Sequence, residues 1–290
     1  MANPSGAWFW GVKLIEQEKI LGLIAGGGQF PLLVARGARN MGYRVVAVAH
    51  LGETDIALER EVDDIRWIKL GQFGKLLQTL KKAGATKAIM AGSITKKRMF
   101  ENVLPDLKGL ALMRKLRVFH DDDILRAVSQ ELEREGIEVI SSTYCLPELL
   151  AQPGCLSVRR PTKEEMEDIE VGWRVAKAIG KLDLGQCVVV RRKTVVAVET
   201  IEGTDETILR GGRLAREKAV VVKVSKPNQD MRFDVPSVGV KTIQTMARVR
   251  ASALAIEAGR TLIFDKEEML RCAKENSIAI YSLRQEEMEG

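Results

Sequence analysis

The sequence predicts an α/β protein of two domains, and three observations support this prediction. Its 290 residues amount to about two domains of ordinary size. Short apolar runs alternate with segments of helical spacing, a pattern typical of parallel sheets covered by helices. A proline-containing stretch at 147–161 interrupts that alternation. We therefore predict an N-terminal extension at 1–18, a Rossmann-like parallel-sheet domain at 19–146 and a mixed α/β domain at 160–284.

In the first domain, predicted strands and helices follow one another regularly. Ile20–Ala25 is a short apolar run bounded by glycine, which predicts a buried strand. Phe30–Asn40 has helical spacing, and Gly42 ends it. The remaining predicted elements are a strand at 44–49, a helix at about 72–83, a strand at 88–91, a helix at about 123–135 and a strand at 138–140.

The second domain opens with a helix, because Thr162 and Glu165 have the spacing of a capping box. Val188–Val190 and Val195–Val198 flank four polar residues and predict a hairpin. For its charged tip we favour a solvated turn over a phosphate-binding patch. The remaining predicted elements are a helix from about 204, a strand at 220–224, a helix at about 240–250, a strand at 262–264, a helix at 266–276 and a strand at 278–281.

The composition excludes several functional classes. A hydrophobic share of 46% with 29% charged residues excludes a disordered or fibrous protein. The net charge of +6 is too small to indicate a nucleic-acid binder and also suits a protein that binds anionic small molecules. Only two histidines, His50 and His120, are present, which disfavours a histidine-built zinc site or a Ser-His-Asp triad. Carboxylates, hydroxyls and backbone amides must then carry the chemistry.

The cysteines and apolar runs predict a cytoplasmic protein. The 4 cysteines are too few and too widely spaced for a disulfide framework. The longest charge-free run, between Lys19 and Arg36, is too short to cross a bilayer as a helix. Lys13 follows the apolar stretch at 7–10, whereas a signal peptide has its basic residues first.

A glycine loop follows the first strand. Bare amides of Gly26, Gly27 and Gly28 can approach a phosphate there, next to the positive end of a helix. A dinucleotide fingerprint would need its third glycine where Pro31 stands, and its ribose-binding acid where His50 stands. The loop therefore indicates an anion site more than an NAD site, and a tight turn that needs glycine only for its backbone angles is the alternative.

The most informative stretch is the loop at 226–239. Asp230 and Asp234 are four residues apart, so that either a strand or a helix places both on the same side. Pro227 and Pro236 frame this pair and favour a rigid extended loop. The two acids would repel each other unless Lys226, Arg232 or a bound Mg²⁺ offsets their charge.

Two further strand-to-helix junctions carry acids. In Glu202-Gly203-Thr204-Asp205, Thr204 is a candidate N-cap and Asp205 a favourable first-turn charge. In Asp121-Asp122-Asp123, one acid is expected to cap the next helix. Together with the glycine loop, these junctions suit a phosphate ester held with a hard divalent metal.

Several motifs, in order along residues 19–284, resemble a known enzyme family. The resemblance is to the UDP-2,3-diacylglucosamine pyrophosphatases of bacterial lipid A synthesis, the family unrelated to the calcineurin-like metallophosphoesterases. The motif at 226–236 is the most specific of them. The matching segments are 22–28, 73–75, 91–92, 105–106, 122–123, 182–186, 202–205 and 226–236.

The resemblance implies an activity and one essential residue. The implied reaction is Mg²⁺-assisted hydrolysis of UDP-2,3-diacylglucosamine to UMP and 2,3-diacylglucosamine 1-phosphate, between a Rossmann-like domain and a C-terminal domain. The family's essential aspartate, in its Asp-x-Pro motif, falls on Asp234. This chain departs from the family pattern at Asp121, where glycine is frequent, and at Ser93, where asparagine is usual.

The resemblance also assigns expected roles. Asp234 is expected to hold Mg²⁺ or orient the attacking water, with Asp205 or Asp230 completing the metal shell. The glycine-loop amides and Lys226 are expected to take phosphate oxygens. The expected substrate-binding residues are Gly26, Gly27, Gly28, Gly92, Asp122, Asp123, Thr204, Lys226 and Gln229.

The expected partner is a lipid-linked UDP-sugar, met at the inner-membrane surface, and no nucleic acid. The oligomeric state stays open, with a homodimer as one option. Two rival functions remain: a Rossmann-type nucleotide-binding oxidoreductase, and a non-catalytic protein that binds a nucleotide sugar or a lipid. Sensitivity of the melting temperature to NAD(H) tests the first rival, and UMP release tests the second.

Overall fold

A computed structural model describes residues 18–94, 104–115 and 121–289 of the chain. Apart from Glu18, the predicted N-terminal extension lies outside this range, as does His120. Within the described residues, the chain forms two α/β units, one with an all-parallel sheet and one with a mixed sheet, and this confirms the predicted fold class.

The first unit is built on a five-stranded parallel sheet in the order β3-β2-β1-β4-β5. Its helices cover both faces, so that one buried apolar cluster lies on each side of the sheet. The strands are β1 (Ile20–Ala25), β2 (Arg44–His50), β3 (Asp64–Ile68), β4 (Lys87–Ala91) and β5 (Glu138–Val139). The helices are α1 (Phe30–Asn40), α2 (Phe73–Ala83), α3 (Leu107–Lys115) and α4 (Asp121–Arg134).

The strand order of this sheet creates a crevice. The connections leave β1 in one direction toward β2 and return on its other side at β4, so the two strands mark a switch point. In open parallel sheets, ligands bind at the carboxyl ends of such strands. The glycine loop follows β1, and Gly92 follows β4, so both predicted sites lie at this crevice.

The second unit is built on a six-stranded mixed sheet in the order β6-β13-β11-β9-β7-β8. Three neighbouring strands, β13, β11 and β9, are parallel to one another, and β6 and β7 are antiparallel to them. The edge strand β8 is antiparallel to β7. The strands are β6 (Gly154–Cys155), β7 (Cys187–Arg191), β8 (Thr194–Val198), β9 (Val220–Lys223), β11 (Ala253–Glu257) and β13 (Ala279–Leu283). The helices are α5 (Lys163–Lys181), α6 (Thr204–Ala215), α7 (Val240–Arg248), α8 (Lys266–Glu275) and α9 (Glu286–Glu289).

A separate two-stranded parallel sheet joins β10 (Ser237–Val238) to β12 (Leu262–Ile263). The strand β10 lies at the end of the predicted loop at 226–239 and leads directly into α7. Its pairing with β12 therefore fixes the end of that loop. The predicted strand at 262–264 therefore exists, but it belongs to this small sheet and not to the main one.

Local sequence explains the best-predicted elements of the second unit. The Thr162 side chain accepts a hydrogen bond from Glu165 N, and the Glu165 carboxylate accepts one from Thr162 N, so the capping box is confirmed. The hairpin β7–β8 is also confirmed, and the carboxylate of the buried Asp168 accepts the amides of both turn residues, Arg192 and Lys193.

The prediction of segments was incomplete, and for one loop it was wrong. The strands β3, β6, β10 and β11 and the helices α3 and α9 were not predicted from the sequence. The loop at 226–236 is not extended, because it folds into successive turns in which Gln229 N donates to Lys226 O and Asp234 N donates to Asp230 O. Two prolines fix backbone angles at their own positions, which leaves the residues between them free to turn.

Candidate active site

The loop at 226–236 lies where the two units meet, and both hold it. From the first unit, Ser142 N donates to Arg232 O at 2.7 Å and Arg126 donates to Asn228 O at 2.7 Å. The ring of Phe233 packs against the apolar cluster on one face of the first sheet. The loop is part of the second unit, so its conformation depends on contacts within both units.

Within this loop the side chain of Gln229 positions Asp234. The Gln229 amide oxygen accepts from Lys226 N at 2.8 Å, and its nitrogen donates to Asp234 Oδ2 at 2.6 Å. Gln229 is buried, so both polar ends of its amide are used inside the loop. Sequence reasoning placed Gln229 among the substrate-binding residues, and the structure adds that it braces the predicted essential aspartate.

Asp230 has a different partner from Asp234. Arg232 grips its carboxylate with two nitrogens, Nε at 3.0 Å and Nη2 at 2.7 Å, and also bonds Glu133 of α4 at 2.6 Å. The hydrogen bond from Arg232 lowers the pKa of Asp230 below its usual range. The prediction that Arg232 offsets the charge of the acid pair is thereby confirmed for Asp230.

A buried carboxylate supports the base of the loop. Glu257 ends β11 and is 1% exposed, and its Oε2 accepts from the amide and the hydroxyl of Ser225 at 2.8 and 2.7 Å. The Lys177 ammonium bonds both Glu257 oxygens, at 3.0 and 2.8 Å, and Ser225 O at 3.1 Å. This cluster, Lys177–Ser225–Glu257, immediately precedes Lys226, whose ammonium bonds Asp183 at 2.7 Å.

A cavity of about 660 Å³ opens beyond the other end of the loop. The first turns of α6 and α7 face it, together with Lys223 at the end of β9. Gln29, from the glycine loop of the first unit, also lines it and donates to Asp265 at 3.0 Å. Beside this contact, the rings of Phe30 and Phe264 meet edge to face at 5.6 Å. We call this space the α6/α7 cavity.

The acids at the start of α6 lie in this cavity. The N-cap of α6 is Gly203, so the prediction that Thr204 caps the helix was wrong. Thr204 is the first helical residue, and its hydroxyl donates to Glu199 at 2.8 Å. Asp205, as predicted, is in the first turn, and it pairs with Lys241 of α7 at 2.7 Å, which raises the pKa of Lys241.

Glu202 is the third acid of this junction. Hydrogen bonds from Thr200 and then from Arg210 lower its pKa to about 2. Arg210 and Lys241 partly offset the charges of Glu202 and Asp205 before any ligand enters, whereas Asp265 accepts from the neutral amide of Gln29.

The glycine loop is closed by backbone bonds. Gly26 N donates to Ala91 O at 2.8 Å, and Gly27 and Ser93 exchange two bonds at 2.7 and 3.1 Å. Two of the three predicted phosphate-binding amides are therefore engaged in this structure. Gly28 is exposed and has φ +86°, so its amide is the one that this conformation leaves at the surface.

The family models for the LpxI N-terminal domain and the LpxI C-terminal domain match residues 20–149 and 152–281. The chain belongs to the LpxI family. A UDP-2,3-diacylglucosamine pyrophosphatase LpxI of Caulobacter vibrioides is 34% identical over 279 residues, which cover 92% of this chain and 98% of that protein.

Likeness to solved structures is slight by comparison. A phosphoribosylglycinamide synthetase from Anaerococcus prevotii has a TM-score of 0.27 and 13% identity, over 66% of this chain and 42% of the other. An N5-carboxyaminoimidazole synthetase from Staphylococcus aureus has a TM-score of 0.23 and 18% identity, over 67% and 44%. The chain spans less than half of each of these two proteins.

The remaining predicted site residues of this LpxI-family chain are dispersed. Asp123 lies in the first turn of α4, while the Asp122 side chain lies outside the described part of the structure. Asp205 lines the α6/α7 cavity, whereas Asp230 lines a second cavity of about 630 Å³ beside Arg126. Asp234 lines neither of these two cavities.

The expected metal shell is therefore not assembled in this structure. No group of three or more His, Cys, Asp or Glu side chains is placed to hold a metal anywhere in 18–94, 104–115 or 121–289. Asp205, Asp230 and Asp234 each bond a different donor instead. Mg²⁺ commonly takes only one or two protein carboxylates together with substrate phosphates, so a single carboxylate at Asp234 suits its oxygen chemistry.

Two features concern membranes. Among the described residues, no helix is long and apolar enough to span a membrane. Large apolar side chains are nonetheless exposed on and just before α3, and Leu107 is 86% exposed.

Three residues that line the α6/α7 cavity, Lys223, Lys241 and Asp265, were not predicted from the sequence. A lysine that ends a run of valines was a local signal for the first of these.

Proposed function

We propose that this chain hydrolyses the pyrophosphate bond of UDP-2,3-diacylglucosamine in lipid A synthesis, releasing UMP and 2,3-diacylglucosamine 1-phosphate. Membership of the LpxI family and the activity named for the C. vibrioides relative support the substrate and the reaction. One observation carries the proposal for the site: Asp234, in the most specific motif of the sequence, is braced by Gln229 in a loop that both units hold.

The reaction sets two tasks for the protein. A water must be oriented toward phosphorus, and charge that develops on the phosphoryl oxygens must be neutralised. Asp234 is the group proposed to orient that water or to hold the metal. Gln229 fixes the position of one Asp234 oxygen, which reduces the reorganisation needed when substrate binds. Lys226 and the Gly28 amide are proposed to bind phosphate oxygens from the two sides of the junction.

Mg²⁺ is part of the proposal. When bound, the ion would neutralise phosphate charge and polarise the bond to be cleaved. Asp234 is its proposed protein ligand, and the carboxylates of Asp205 and Asp230, already held by Lys241 and Arg232, are proposed to act through those cations and not as further ligands.

The membrane surface is the proposed place of action. The exposed apolar side chains Leu104, Leu107 and Leu110, with Lys108 among them, suit contact with acyl chains at a lipid surface. Sedimentation with anionic vesicles tests this part: the wild type should bind, and a Leu107→Ser/Leu110→Ser variant should bind less. A homodimer, the option left open by the sequence, is tested by sedimentation velocity of the same sample.

The proposal is tested by measuring UMP release from UDP-2,3-diacylglucosamine. We expect release that requires Mg²⁺ and stops when a chelator is added. Tight binding of the substrate without UMP would instead identify a non-catalytic binding protein. A rise in melting temperature with NAD(H), without UMP release, would identify the rival oxidoreductase.

A further inference from the structure

Lys223 is a buried cation that pairs with no carboxylate in the described part of the chain. The residue ends β9 and is 8% exposed, and its ammonium donates to Ser237 O at 2.9 Å. Throughout the described ranges, no Asp or Glu lies within ion-pair distance of it. An ammonium has three donors, and burying a charge is unfavourable unless it is paired. The protein alone therefore satisfies only part of this group.

Lys177 of α5, whose side chain is 17% exposed, provides a comparison, because its role is only structural. Its ammonium bonds two Glu257 oxygens and Ser225 O, so all three donors have acceptors and the charge is neutralised. Both lysines lie close to the carboxyl edge of the second sheet. The difference is that Lys223 lines the α6/α7 cavity, where a ligand can supply what the protein does not.

The helix that starts beside Lys223 adds positive potential to the same place. The N-cap of α7 is Gly239, which has no side chain to accept a hydrogen bond, and the first turn of α7 carries no acid. Gly239, Val240 and Lys241 all line the cavity. At the facing end of α6, by contrast, Asp205 and Glu206 complement the helix. A helix N-terminus with no acid in its own first turn, beside a buried ammonium, favours an anion.

The other walls of the cavity indicate what is attached to that anion. Glu202, Asp205, Asp265 and Gln29 also line the cavity, and such groups accept hydrogen bonds from hydroxyls. A cavity of about 660 Å³ exceeds the space that inorganic phosphate needs and falls in the range for a small organic ligand. The chemistry fits a phosphoryl group that carries a hydroxyl-rich sugar.

We propose that Lys223 and the first turn of α7 form the binding site for a phosphoryl group of a sugar or nucleoside phosphate, one half of the substrate proposed above. The identity of the ligand rests on the proposed function, whereas the existence of the site does not. Both halves of that substrate carry the required chemistry, and the probes below distinguish them.

The test measures binding of UMP and of glucosamine 1-phosphate by calorimetry to the full chain and to Lys223→Met. We expect the variant to lose about tenfold to a hundredfold in affinity for one of the two probes, because a charged hydrogen bond is removed. The probe whose affinity falls identifies the half that binds here. Lys274→Met, which makes the same change in net charge on the exposed face of α8, should bind both probes as the wild type does.

A second pair of variants keeps the test valid if Lys223→Met does not fold. Gly239→Asp places a carboxylate at the N-cap of α7, which favours the helix and competes with the phosphoryl group. It should lower affinity at least tenfold, whereas Gly239→Ser, a neutral cap, should lower it only severalfold. Unchanged binding of both probes in Lys223→Met and in Gly239→Asp would overturn the proposal.

The outcomes separate this inference from the proposed function. Lys223-dependent binding without UMP release by the wild type supports the site and contradicts the reaction. UMP release by the wild type with an unchanged KM in Lys223→Met and Gly239→Asp supports the reaction and contradicts the site.

Discussion

The carboxyl edges of the two sheets carry opposite kinds of chemistry. At the edge of the first sheet, Ala25 O accepts from the His50 ring and from Thr54, and Gly27 is bridged to Ser93. Those contacts are neutral and mostly made by backbone. The edge of the second sheet carries Lys223 and Glu257 and leads into the Asp234 loop. The contacts at the first edge thus fix the backbone conformation, whereas the second edge carries ionisable side chains.

This difference predicts that activity depends most on the second edge. Asp234→Asn keeps the size of the side chain but removes its charge, and we expect turnover to fall by about a hundredfold to ten-thousandfold, the range for loss of an acid–base or charge-stabilising group. The measurement is kcat for UMP release, with melting temperature and UMP affinity as controls that should change little. Activity within tenfold of the wild type would contradict the role given to Asp234.

The stability of the second edge should depend on the Lys177–Ser225–Glu257 cluster. Glu257→Gln leaves the Lys177 ammonium buried without a countercharge, which typically destabilises a protein by about 3–5 kcal/mol. Denaturant unfolding measures this loss. A Lys177→Met/Glu257→Met double variant removes both charges and should recover most of it. A single variant that loses less than about 1 kcal/mol would show that the cluster does not hold the loop.

The stability of the first edge should depend on close backbone approach instead. Gly92 has φ +91°, and a Cβ there would lie 2.6 Å from Gly27 O. Gly28 has a similar φ of +86°, but a Cβ there would meet nothing within 4 Å. We expect Gly28→Ala to cost about 1–2 kcal/mol from backbone strain alone, and Gly92→Ala to cost more. The difference between the two variants in unfolding free energy, measured with denaturant, gives the cost of the steric contact. Equal losses would show that the backbone bridge between Gly27 and Ser93 can move to accept the added Cβ.

The presence or absence of a local signal explains which elements could be predicted from the sequence. Elements with local signals were predicted almost to the residue, as for α1 with its bounding glycine and for the capping box of α5. The strand β11 was missed because its five residues are short and buried on both faces, so it shows no alternation.

The site was predicted only where its residues are close in sequence. The Asp230–Arg232 pair lies within one motif, whereas the contact of Gln29 with Asp265 joins residues 236 positions apart. Lys223 falls in a valine-rich strand, and only the tertiary structure shows that it borders a cavity and that its ammonium donates to a backbone carbonyl, Ser237 O. Charge pairing across domains is a property of the fold and leaves no local pattern.

The smallest expected effect concerns His50, the one ionisable side chain among the contacts described for the first edge. Burial lowers its pKa, opposed by the hydrogen bond to Ala25 O and by the charge of Glu53. The folded protein therefore keeps His50 neutral at pH values where the unfolded chain, with a histidine pKa of about 6.5, already binds a proton. Stability should then fall as the pH drops below about 6.5, by at most about 1.4 kcal/mol per pH unit.

His50→Asn removes this titration while its amide can still donate to Ala25 O. Unfolding free energies of both proteins between about pH 7.5 and 5 should converge or cross as the pH falls, because the wild type alone loses the His50 contribution. Carboxylates that titrate at lower pH are common to both proteins and cancel in the difference. Parallel curves would mean that His50 can be protonated in place, and that the first edge tolerates a charge much as the second edge does.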